Sequence, residues 1–577
     1  MNVLLLIGSG CFVLLFLLFL LMRSYESKVI AKIQVVGLKP QQQQQHQQQT
    51  PQGHSDASLT PHHHHHPCIH DHHEEEEPIG AGEHHQPSLK TKKKVTYQTP
   101  EPVPVSELVH YDALWCLVFN IFRDNQSSVQ TYERAFSLQH FRPHLGFVGK
   151  IPVVLFATPS AARVFVTKWK EVVKDNSLVF TEDMHKFFGV NVVFSNGDEW
   201  KRQRKVLDPS FYNIERFTQT FVENAQKTMS LLNKLLQEKS LQEIEISPSD
   251  VTTRMALDVL GLTIFGEDFD YLSQLIPNHK SATNELNKKA LDAYHYVMSN
   301  IGNAARLFIG KPYTSLPLES NRKMDESIEE FQLFLDSIIE KCRKQKDTSN
   351  KNTLLHSMIQ AVDDEGTGMT NQELKSQCTI FFLAGHETTA GALAFLFYSL
   401  AKHPQVQEKL YEEITSTFTS GEDISNYNKL QSMAYLDCVL KENMRLYPPI
   451  SQLPPRILTS AQVIDGYKIP KDFLAILNIY ALHRHPDVWG QESEEFRPER
   501  FLENSYPPFS YLPFSAGPRV CLGKQFSLVE QKTFTTALVQ NFRIELLYPG
   551  QCMKFNKKLP NLAPEENFKL RLVRRKC

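Results

Sequence analysis

One cysteine near the C-terminus has the surroundings of a metal-binding thiolate. Cys521 lies in the segment Phe514-Ser-Ala-Gly-Pro-Arg-Val-Cys-Leu-Gly523 and precedes a helical pattern at Lys524–Val539. The positive end of such a helix favours a thiolate over a thiol. Gly517 and Gly523 allow backbone amides to approach the sulfur. Phe514 is suited to cover a planar group, and Arg519 to pair with a negative charge on that group.

These properties are the ones that a heme iron with a cysteine ligand requires, since N–H groups around the sulfur tune such a ligand. Two other interpretations of Cys521 are a buried structural cysteine and a zinc ligand. No second Cys or His lies near Cys521 in the sequence at metal-ligand spacing, which disfavours zinc.

A second candidate site lies in the middle of a long helical pattern, Ser376–Lys402. It contains the segment Phe381-Phe-Leu-Ala-Gly-His-Glu-Thr-Thr389. Gly385 leaves room for a diatomic ligand, Thr388 can donate to its far oxygen, and Glu387 with water can relay protons. A buried core helix and a second membrane span are the structural alternatives. A charged Glu387 would cost a span about 3 kcal/mol.

Two residue pairs lie at helical spacing and can act together. Trp200 and Arg204, at i and i+4, point the same way and can hold a carboxylate, although an amphipathic surface helix gives the same pattern. Glu442 and Arg445, at i and i+3 within Tyr435–Tyr447, can form an ion pair of a kind that is common on protein surfaces.

The segment Phe514–Gly523 resembles the heme-binding signature of the cytochrome P-450 monooxygenases, Phe-x-x-Gly-x-Arg-x-Cys-x-Gly, at every fixed position. The segment around Glu387 is similar to the Ala-Gly-x-Asp/Glu-Thr-Thr motif of that family. Glu442-Asn-Met-Arg445, followed by Phe496-Arg-Pro-Glu-Arg-Phe501, is similar to the family's Glu-x-x-Arg with a later arginine. These blocks stand in the family's order, so the resemblance covers about Ser106 to the C-terminus.

The resemblance implies a role for each of these residues. Cys521 would be the axial ligand of the iron in heme b. Glu387 and Thr388 would be the catalytic pair, while a buried structural triad would consist of Glu442, Arg445 and Arg500. The implied cofactor-binding residues are Trp200, Arg204, Arg456, Phe514, Gly517, Arg519 and Gly523.

The activity that the resemblance implies is insertion of one oxygen atom from dioxygen into a lipophilic substrate. Electrons would come from NADPH through an NADPH–cytochrome reductase, with cytochrome b5 as a candidate second donor. A basic docking face would include Lys201, Arg202, Lys205 and Lys524. Two other functions stay open, a heme-thiolate isomerase or dehydratase that acts on peroxides without a reductase, and a non-catalytic heme-binding protein.

The substrate pocket, placed by family position, is mostly apolar, which favours a lipophilic substrate. Fatty acids, sterols or terpenoids, and xenobiotics are all compatible with it. The implied pocket segments are Phe180–Val193, Phe381–Leu383, Ile450–Pro454 and Leu559–Ala563.

The elements that position these residues are mostly amphipathic helices. Periodicity predicts helices at Ile214–Leu236, Arg322–Cys342 and Pro404–Phe418. Ile151–Phe156 is predicted as a strand. A hairpin is predicted from Val463–Ile464 through the Asp465-Gly466 turn to Phe473–Ile479. We therefore expect a mainly α fold with small β-sheets, the cytochrome P-450 fold, in one large heme domain at residues 106–577.

The N-terminus predicts a membrane anchor at residues 1–22. Val3–Met22 is apolar and, as a helix, roughly 30 Å long, the thickness of a bilayer core. Arg23, Lys28 and Lys32 follow it and should stay in the cytosol. A cleaved signal peptide would need a basic start and a small-residue cleavage site, which this segment lacks. We expect a single-pass protein of the endoplasmic reticulum membrane whose catalytic domain faces the cytosol.

Residues 23–105 are predicted to be a disordered tether rich in Gln, His and Pro, because such a composition buries little apolar surface. Its Cys68-Ile-His-Asp-His-His73 tract could bind a transition metal, but repeat expansion in a solvated linker is the favoured explanation. Overall, 62 Lys+Arg balance 64 Asp+Glu, which gives no electrostatic reason to expect a nucleic-acid partner. Nine scattered cysteines do not resemble a disulfide framework.

Overall fold

The structure is a computed structural model. It describes residues 103–104, 109–110, 141, 143–148, 151–174, 180–238, 241–276, 285–303, 305–306, 309–344, 353–418, 424–503, 506–556, 562–565 and 567–575. The predicted membrane anchor and nearly all of the predicted tether lie outside these residues.

The strands within the described residues form three small sheets. One has the strand order β1-β9-β8, the largest has the order β2-β3-β4-β10-β7-β5, and the third has the order β11-β12-β6. The strands are β1 (Val103–Pro104), β2 (Val109–His110), β3 (His144–Val148), β4 (Ile151–Phe156), β5 (Val172–Lys174), β6 (Glu243–Ile246), β7 (Arg456–Leu458), β8 (Gln462–Ile464), β9 (Tyr467–Ile469), β10 (Leu474–Leu477), β11 (Phe542–Leu546) and β12 (Leu570–Arg574).

Helices make up most of the rest and enclose the main hydrophobic core. In chain order, the α-helices among the described residues are α1 (Pro159–Thr167), α2 (Glu182–Phe188), α3 (Gly197–Leu207), α4 (Thr218–Glu238), α5 (Pro248–Leu260), α6 (Glu285–Asn300), α7 (Lys311–Thr314), α8 (Glu319–Lys344), α9 (Leu354–Gln360), α10 (Asn371–Lys402), α11 (Pro404–Thr417), α12 (Tyr427–Ser432), α13 (Ala434–Leu446), α14 (Ile479–Leu482), α15 (Pro486–Trp489) and α16 (Lys524–Asn541).

The expected mainly helical fold with small sheets is confirmed, and the predicted helices correspond to α4, α8 and α11. The predicted hairpin is only half right. β8 turns at Asp465-Gly466 and pairs with β9, whereas β10 pairs with β4 and β7 in another sheet. Val103–Pro104, which we placed in the tether, pairs as β1 with β9.

Helix α10 is the long central helix of the domain. The Thr370 side chain accepts a hydrogen bond from the backbone N–H of Glu373, and the Glu373 carboxylate accepts one from the backbone N–H of Thr370. This arrangement is a capping box. Among the described helices, α10 is long and apolar enough to cross a membrane, but 72% of its most apolar window is buried inside the protein. The core-helix interpretation is therefore the one that the structure supports.

Gly385 of α10 allows α5 to approach closely. A Cβ at this position would lie 2.6 Å from Cδ1 of the buried Leu260 on α5. Our expectation that Gly385 makes room for a diatomic ligand is therefore wrong, because this side of the helix faces another helix. The glycine serves helix packing.

A buried ion network joins α13 to the segment that leads toward Cys521. Glu442 accepts from Arg445 Nε at 2.8 Å and from Arg500 Nε at 2.9 Å, and all three side chains are buried. The remaining donors of Arg445 bond to Oε1 of Glu442 and to the carbonyl oxygens of His483, Ser493 and Glu495. Because every donor of this guanidinium has a partner, the network is complete without any ligand.

We predict that Glu442→Gln destabilises the domain by about 3–5 kcal/mol, because it leaves two buried guanidinium groups without their carboxylate. The measurement is the urea midpoint of the detergent-solubilised protein, followed by near-ultraviolet circular dichroism. Lys409→Ala is the matched control. It breaks the exposed ion pair with Glu499, which should cost less than about 1 kcal/mol. Equal midpoints for the Glu442 variant and the wild type would contradict this prediction.

Candidate functional site

The loop before α16 folds back on itself and presents Cys521 at the helix N-terminus. The Cys521 N–H donates to the Phe514 carbonyl at 3.0 Å, which closes the loop. Gly517 has a φ of +65°, and a Cβ there would lie 2.9 Å from Cγ1 of Val166 on α1. Only glycine meets both conditions, so Gly517 sets how the loop rests on α1.

The Cys521 sulfur lies deep among other residues and still has accessible surface, which indicates that it lines a cavity. Burial raises the pKa of the Cys521 thiol. A hydrogen bond from the Gly523 N–H and the positive charges of Arg204, Lys174 and Lys524 act in the opposite direction. A thiolate here is thus supported by local groups, and a metal cation would complete its stabilisation.

Four cationic side chains gather beside this cysteine. Arg204, Arg456 and Arg519 all act on Lys174, whose pKa lies well below its usual value because of burial and these neighbours. Burial lowers the pKa of Arg456 to about 10. Burial and the charges of Arg456 and Arg204 lower that of Arg519 to about 9. Such mutual repulsion is expected where a protein binds an anion.

The hydrogen bonds of the three arginines differ. Arg204 donates to Asp208 at 2.6 Å and to the Val520 carbonyl at 2.7 Å, so it holds the residue next to Cys521. Arg456 donates to the Val172 carbonyl, while its Nε is buried without a partner among the described residues. The same holds for Nε and Nη1 of Arg519, whose guanidinium stacks 3.9 Å from the Trp200 ring.

These unpartnered donors fit a cofactor that carries both carboxylates and a metal. Heme has two propionates and an iron that accepts a thiolate, so the residues present suit heme. Among the described residues, no group of three or more His, Cys, Asp or Glu is placed to hold a metal ion. The zinc interpretation of Cys521 therefore has no support in this part of the chain.

Lys174 and Asn196 belong to the site and were missed from the sequence. Lys174 lies directly opposite Arg456 in the pairing of β5 with β7, and its Nζ donates to the Val193 carbonyl. The Asn196 amide bonds to the backbone of Lys174 on one side and accepts from Arg519 on the other, at 3.2 Å. A lone lysine in a short strand gives no signal until the strand register is known.

Helix α10 presents Thr388 on the same side as an exposed Ala384, which stands out in an otherwise mostly buried helix. The Thr388 hydroxyl donates to the Ala384 carbonyl at 2.7 Å. The next residue, Thr389, shares a 2.9 Å hydrogen bond with Ser527 of α16. This bond fixes the Glu387–Thr388 segment against the helix that begins just after Cys521.

The structure bears on two other sequence-based expectations. Phe381 packs edge-on against Phe211, and both Phe381 and Phe382 are buried in the main core. Three of the four basic residues proposed for docking are neutralised by acidic partners on the surface of α3 and nearby loops. Lys201 pairs with Asp198, Arg202 with Asp363 and Glu373, and Lys205 with Asp364.

Comparisons with known proteins agree with this geometry. The family model for cytochrome P450 matches residues 114–572. Cytochrome P450 3A16 of Mus musculus is 29% identical over 501 residues, which cover 84% of this chain and 92% of the mouse protein. Cytochrome P450 4V2 of Homo sapiens is 28% identical over 426 residues, 69% of this chain and 76% of the human protein.

A solved crystal structure of a cytochrome P450, CYP102L1, superposes with a TM-score of 0.69 and 22% sequence identity. It covers 83% of this chain and 100% of its own. This likeness shows that the fold is shared.

We predict that Lys174→Met weakens heme retention about tenfold, the effect expected for one charge-assisted hydrogen bond to a carboxylate. The measurement is the rate at which the detergent-solubilised protein loses heme to excess apomyoglobin. Lys168→Met is the matched control, because Lys168 lies at the surface and bonds to Gln462 outside the cluster. Equal rates of heme loss for both variants would show that Lys174 does not face the cofactor.

Proposed function

This chain belongs to the cytochrome P450 family, and on that premise we propose that it inserts one oxygen atom from dioxygen into a lipophilic substrate at the endoplasmic reticulum membrane. Membership of the family makes it a heme-thiolate monooxygenase. The residue roles, the electron supply, the substrate class and the location are our proposals. The observation that carries the residue roles is the group of cations with unpartnered donors beside Cys521.

Cys521 would hold the iron of heme b, with the Gly523 N–H as a hydrogen-bond donor to the sulfur. Arg456, Arg519 and Lys174 would hold the propionates, and Trp200 supports the Arg519 guanidinium. Arg204, which we expected to bind a propionate, has its Nε and Nη1 engaged by Asp208 and Val520. It would fix the cysteine loop through these two bonds, and its Nη2 could still donate to a propionate. Phe514 and Gly517 shape that loop.

Heme, when bound through a thiolate, supplies the site at which dioxygen binds and its O–O bond is cleaved. The chain's own contribution is to hold protons and exclude water. The Thr388 hydroxyl donates to the Ala384 carbonyl, and Glu387 is the adjacent acid. We assign Thr388 the role of a hydroxyl that would turn from this carbonyl to hold a proton on the cofactor side of α10, and Glu387 that of proton relay.

A lipophilic substrate is supported by the aromatic side chains on and beside α2. Phe180 lies 4.5 Å from Phe194 and 6.3 Å from Phe188, measured between ring centroids. Aromatic walls with few polar groups favour apolar ligands. Fatty acids, sterols or terpenoids, and xenobiotics are the candidate classes.

The membrane location rests on the sequence. Val3–Met22 would span the bilayer once, residues 23–102 would connect it to the domain, and the heme domain, which includes β1 at Val103–Pro104, would lie in the cytosol. In this location the proposed electron donors are an NADPH–cytochrome reductase and cytochrome b5. Because the other three basic residues proposed for docking have acidic partners, Lys524 is the residue to test for docking.

We predict that the reduced, membrane-expressed protein gives a strongly red-shifted Soret band with carbon monoxide, and that Cys521→Ala abolishes this band. A thiolate ligand causes the shift, so its removal leaves no strong donor to the iron. The measurement is the carbon-monoxide difference spectrum. Cys552→Ala is the matched control, because Cys552 is an exposed free cysteine and should leave the band unchanged.

The same preparations, mixed with a purified NADPH–cytochrome reductase, test the electron supply and the substrate class. Lauric acid, testosterone and 7-ethoxycoumarin represent the three classes, and one of them should give an oxygenated product that requires NADPH and dioxygen. A band that survives in Cys521→Ala would refute the ligand assignment. Turnover with peroxides alone, and none with reductase, would refute the proposed electron supply.

A further inference from the structure

A tyrosine on α6 contacts the acid of the catalytic pair. The Tyr294 hydroxyl donates to Oε1 of Glu387 at 2.8 Å, although the two residues are 93 positions apart in the chain. Tyr294 is completely buried, and Glu387 is half-buried on α10. Neither the motif around Glu387 nor the pattern of α6 predicts this contact.

The ring of Tyr294 is fixed by aromatic neighbours from three helices. Its centroid lies 4.7 Å from Phe382, 5.5 Å from His386 on α10 and 5.7 Å from Phe331 on α8. Phe187 of α2 lies at 6.3 Å. Such packing leaves the phenol little freedom to rotate away, so the position of its hydroxyl is set by the core.

The phenol of Tyr294 and the two histidines beside it stay uncharged. The phenol is therefore the donor of the hydrogen bond, and Glu387 is the acceptor. Burial, and then the nearby Glu387, hold the pKa of Tyr294 well above its usual range, so the phenol remains a donor. Burial lowers the pKa of His386 to about 3, and its Nδ1 lies 2.6 Å from the Phe382 carbonyl. Burial also lowers the pKa of His295, against the opposing charge of Asp292.

We propose that Tyr294 is a positioning residue for Glu387. Its phenol holds the carboxylate in one orientation next to Thr388, and thereby links proton delivery at this pair to helix α6. This inference rests on the proposed role of Glu387. A phenylalanine would fill the same space in the core, so the hydroxyl alone carries the effect.

The stoichiometry of the reaction gives the inference a measurable consequence. Each oxygen atom inserted from dioxygen consumes two electrons and two protons, and one water is released. When the protons are not delivered productively, dioxygen leaves with the same two electrons and two protons as hydrogen peroxide instead. With hydrogen peroxide as the oxidant, both protons and both electrons are already on the oxygen, so substrate oxidation needs no net proton delivery.

The test is Tyr294→Phe with NADPH, the reductase and whichever of the three probe substrates is turned over. We expect the product formed per NADPH consumed to fall about tenfold, the factor that loss of a hydrogen bond to a charged group gives in an equilibrium constant. Released hydrogen peroxide should rise correspondingly. Turnover driven by added hydrogen peroxide should stay within twofold of the wild type.

Tyr296→Phe is the matched control on the same helix. The Tyr296 hydroxyl donates to the Ser320 carbonyl at 3.4 Å near the surface, so this variant should couple like the wild type. A second test is the double variant with Glu387→Gln. If Tyr294 acts through Glu387, adding Tyr294→Phe to Glu387→Gln should cause no further loss of coupling.

A third readout does not depend on turnover. The infrared stretch of carbon monoxide bound to the reduced protein reports the polar groups near the ligand, and it should shift in Tyr294→Phe but not in Tyr296→Phe. Unchanged coupling and an unchanged stretch in Tyr294→Phe would overturn the inference while the proposed function stands. Absence of NADPH-dependent product in the wild type would instead refute the proposed function, and the infrared shift would still decide whether Tyr294 positions Glu387.

Discussion

Repulsion among the cations beside Cys521 is the constraint on which the rest of the site depends. Two unit charges about 5 Å apart near a protein surface repel each other by about 3 kcal/mol, and like charges directly opposite in a sheet are destabilising. The register of β5 with β7 nevertheless places Lys174 opposite Arg456. Arg519 joins them from the cysteine loop, with buried donors left unpartnered among the described residues. An anion at this position would convert the repulsion into binding energy. The fold is thus arranged for a cofactor that carries negative charge and binds to the cations beside Cys521.

The second arginine cluster shows by contrast why the two sets of arginines differ in role. Glu442 lies between Arg445 and Arg500, and backbone carbonyls take the donors that remain on Arg445. A buried network in which all donors have partners needs no ligand. Breaking it is costly, because removal of one partner leaves an uncompensated charge. Arg456 and Arg519 are also partly or fully buried, but they keep donors without a partner among the residues that the structure describes. Hydrogen-bond completeness, rather than burial, distinguishes the arginines of the buried network from those that we propose bind the cofactor.

The sequence predicted those features whose determinants are close together in the chain. The cysteine segment, the helices α4, α8 and α11, and the strand β4 all follow from local patterns, as did the mainly helical class. Three of the errors concern partners that are distant in sequence. Gly385 packs against Leu260, β10 leaves the predicted hairpin for β4 and β7, and Lys174 meets Arg456 only through strand register. A single sequence does not encode such pairings locally, so spacing arguments cannot find them.

Helix α10 connects the cysteine loop to the Glu387–Thr388 pair, and its contacts determine which movements of neighbouring helices reach that pair. On one side Thr389 bonds to Ser527 of α16, and on another Gly385 admits Leu260 of α5, so the helix is held at a fixed distance from the cysteine loop. Its acid, Glu387, is instead held by a phenol on α6. A shift of α6 would therefore move the carboxylate while the helix and its threonine hydroxyl stay in place. Glu387, the proposed proton relay, is thus the member of the pair whose side-chain position depends on a neighbouring helix.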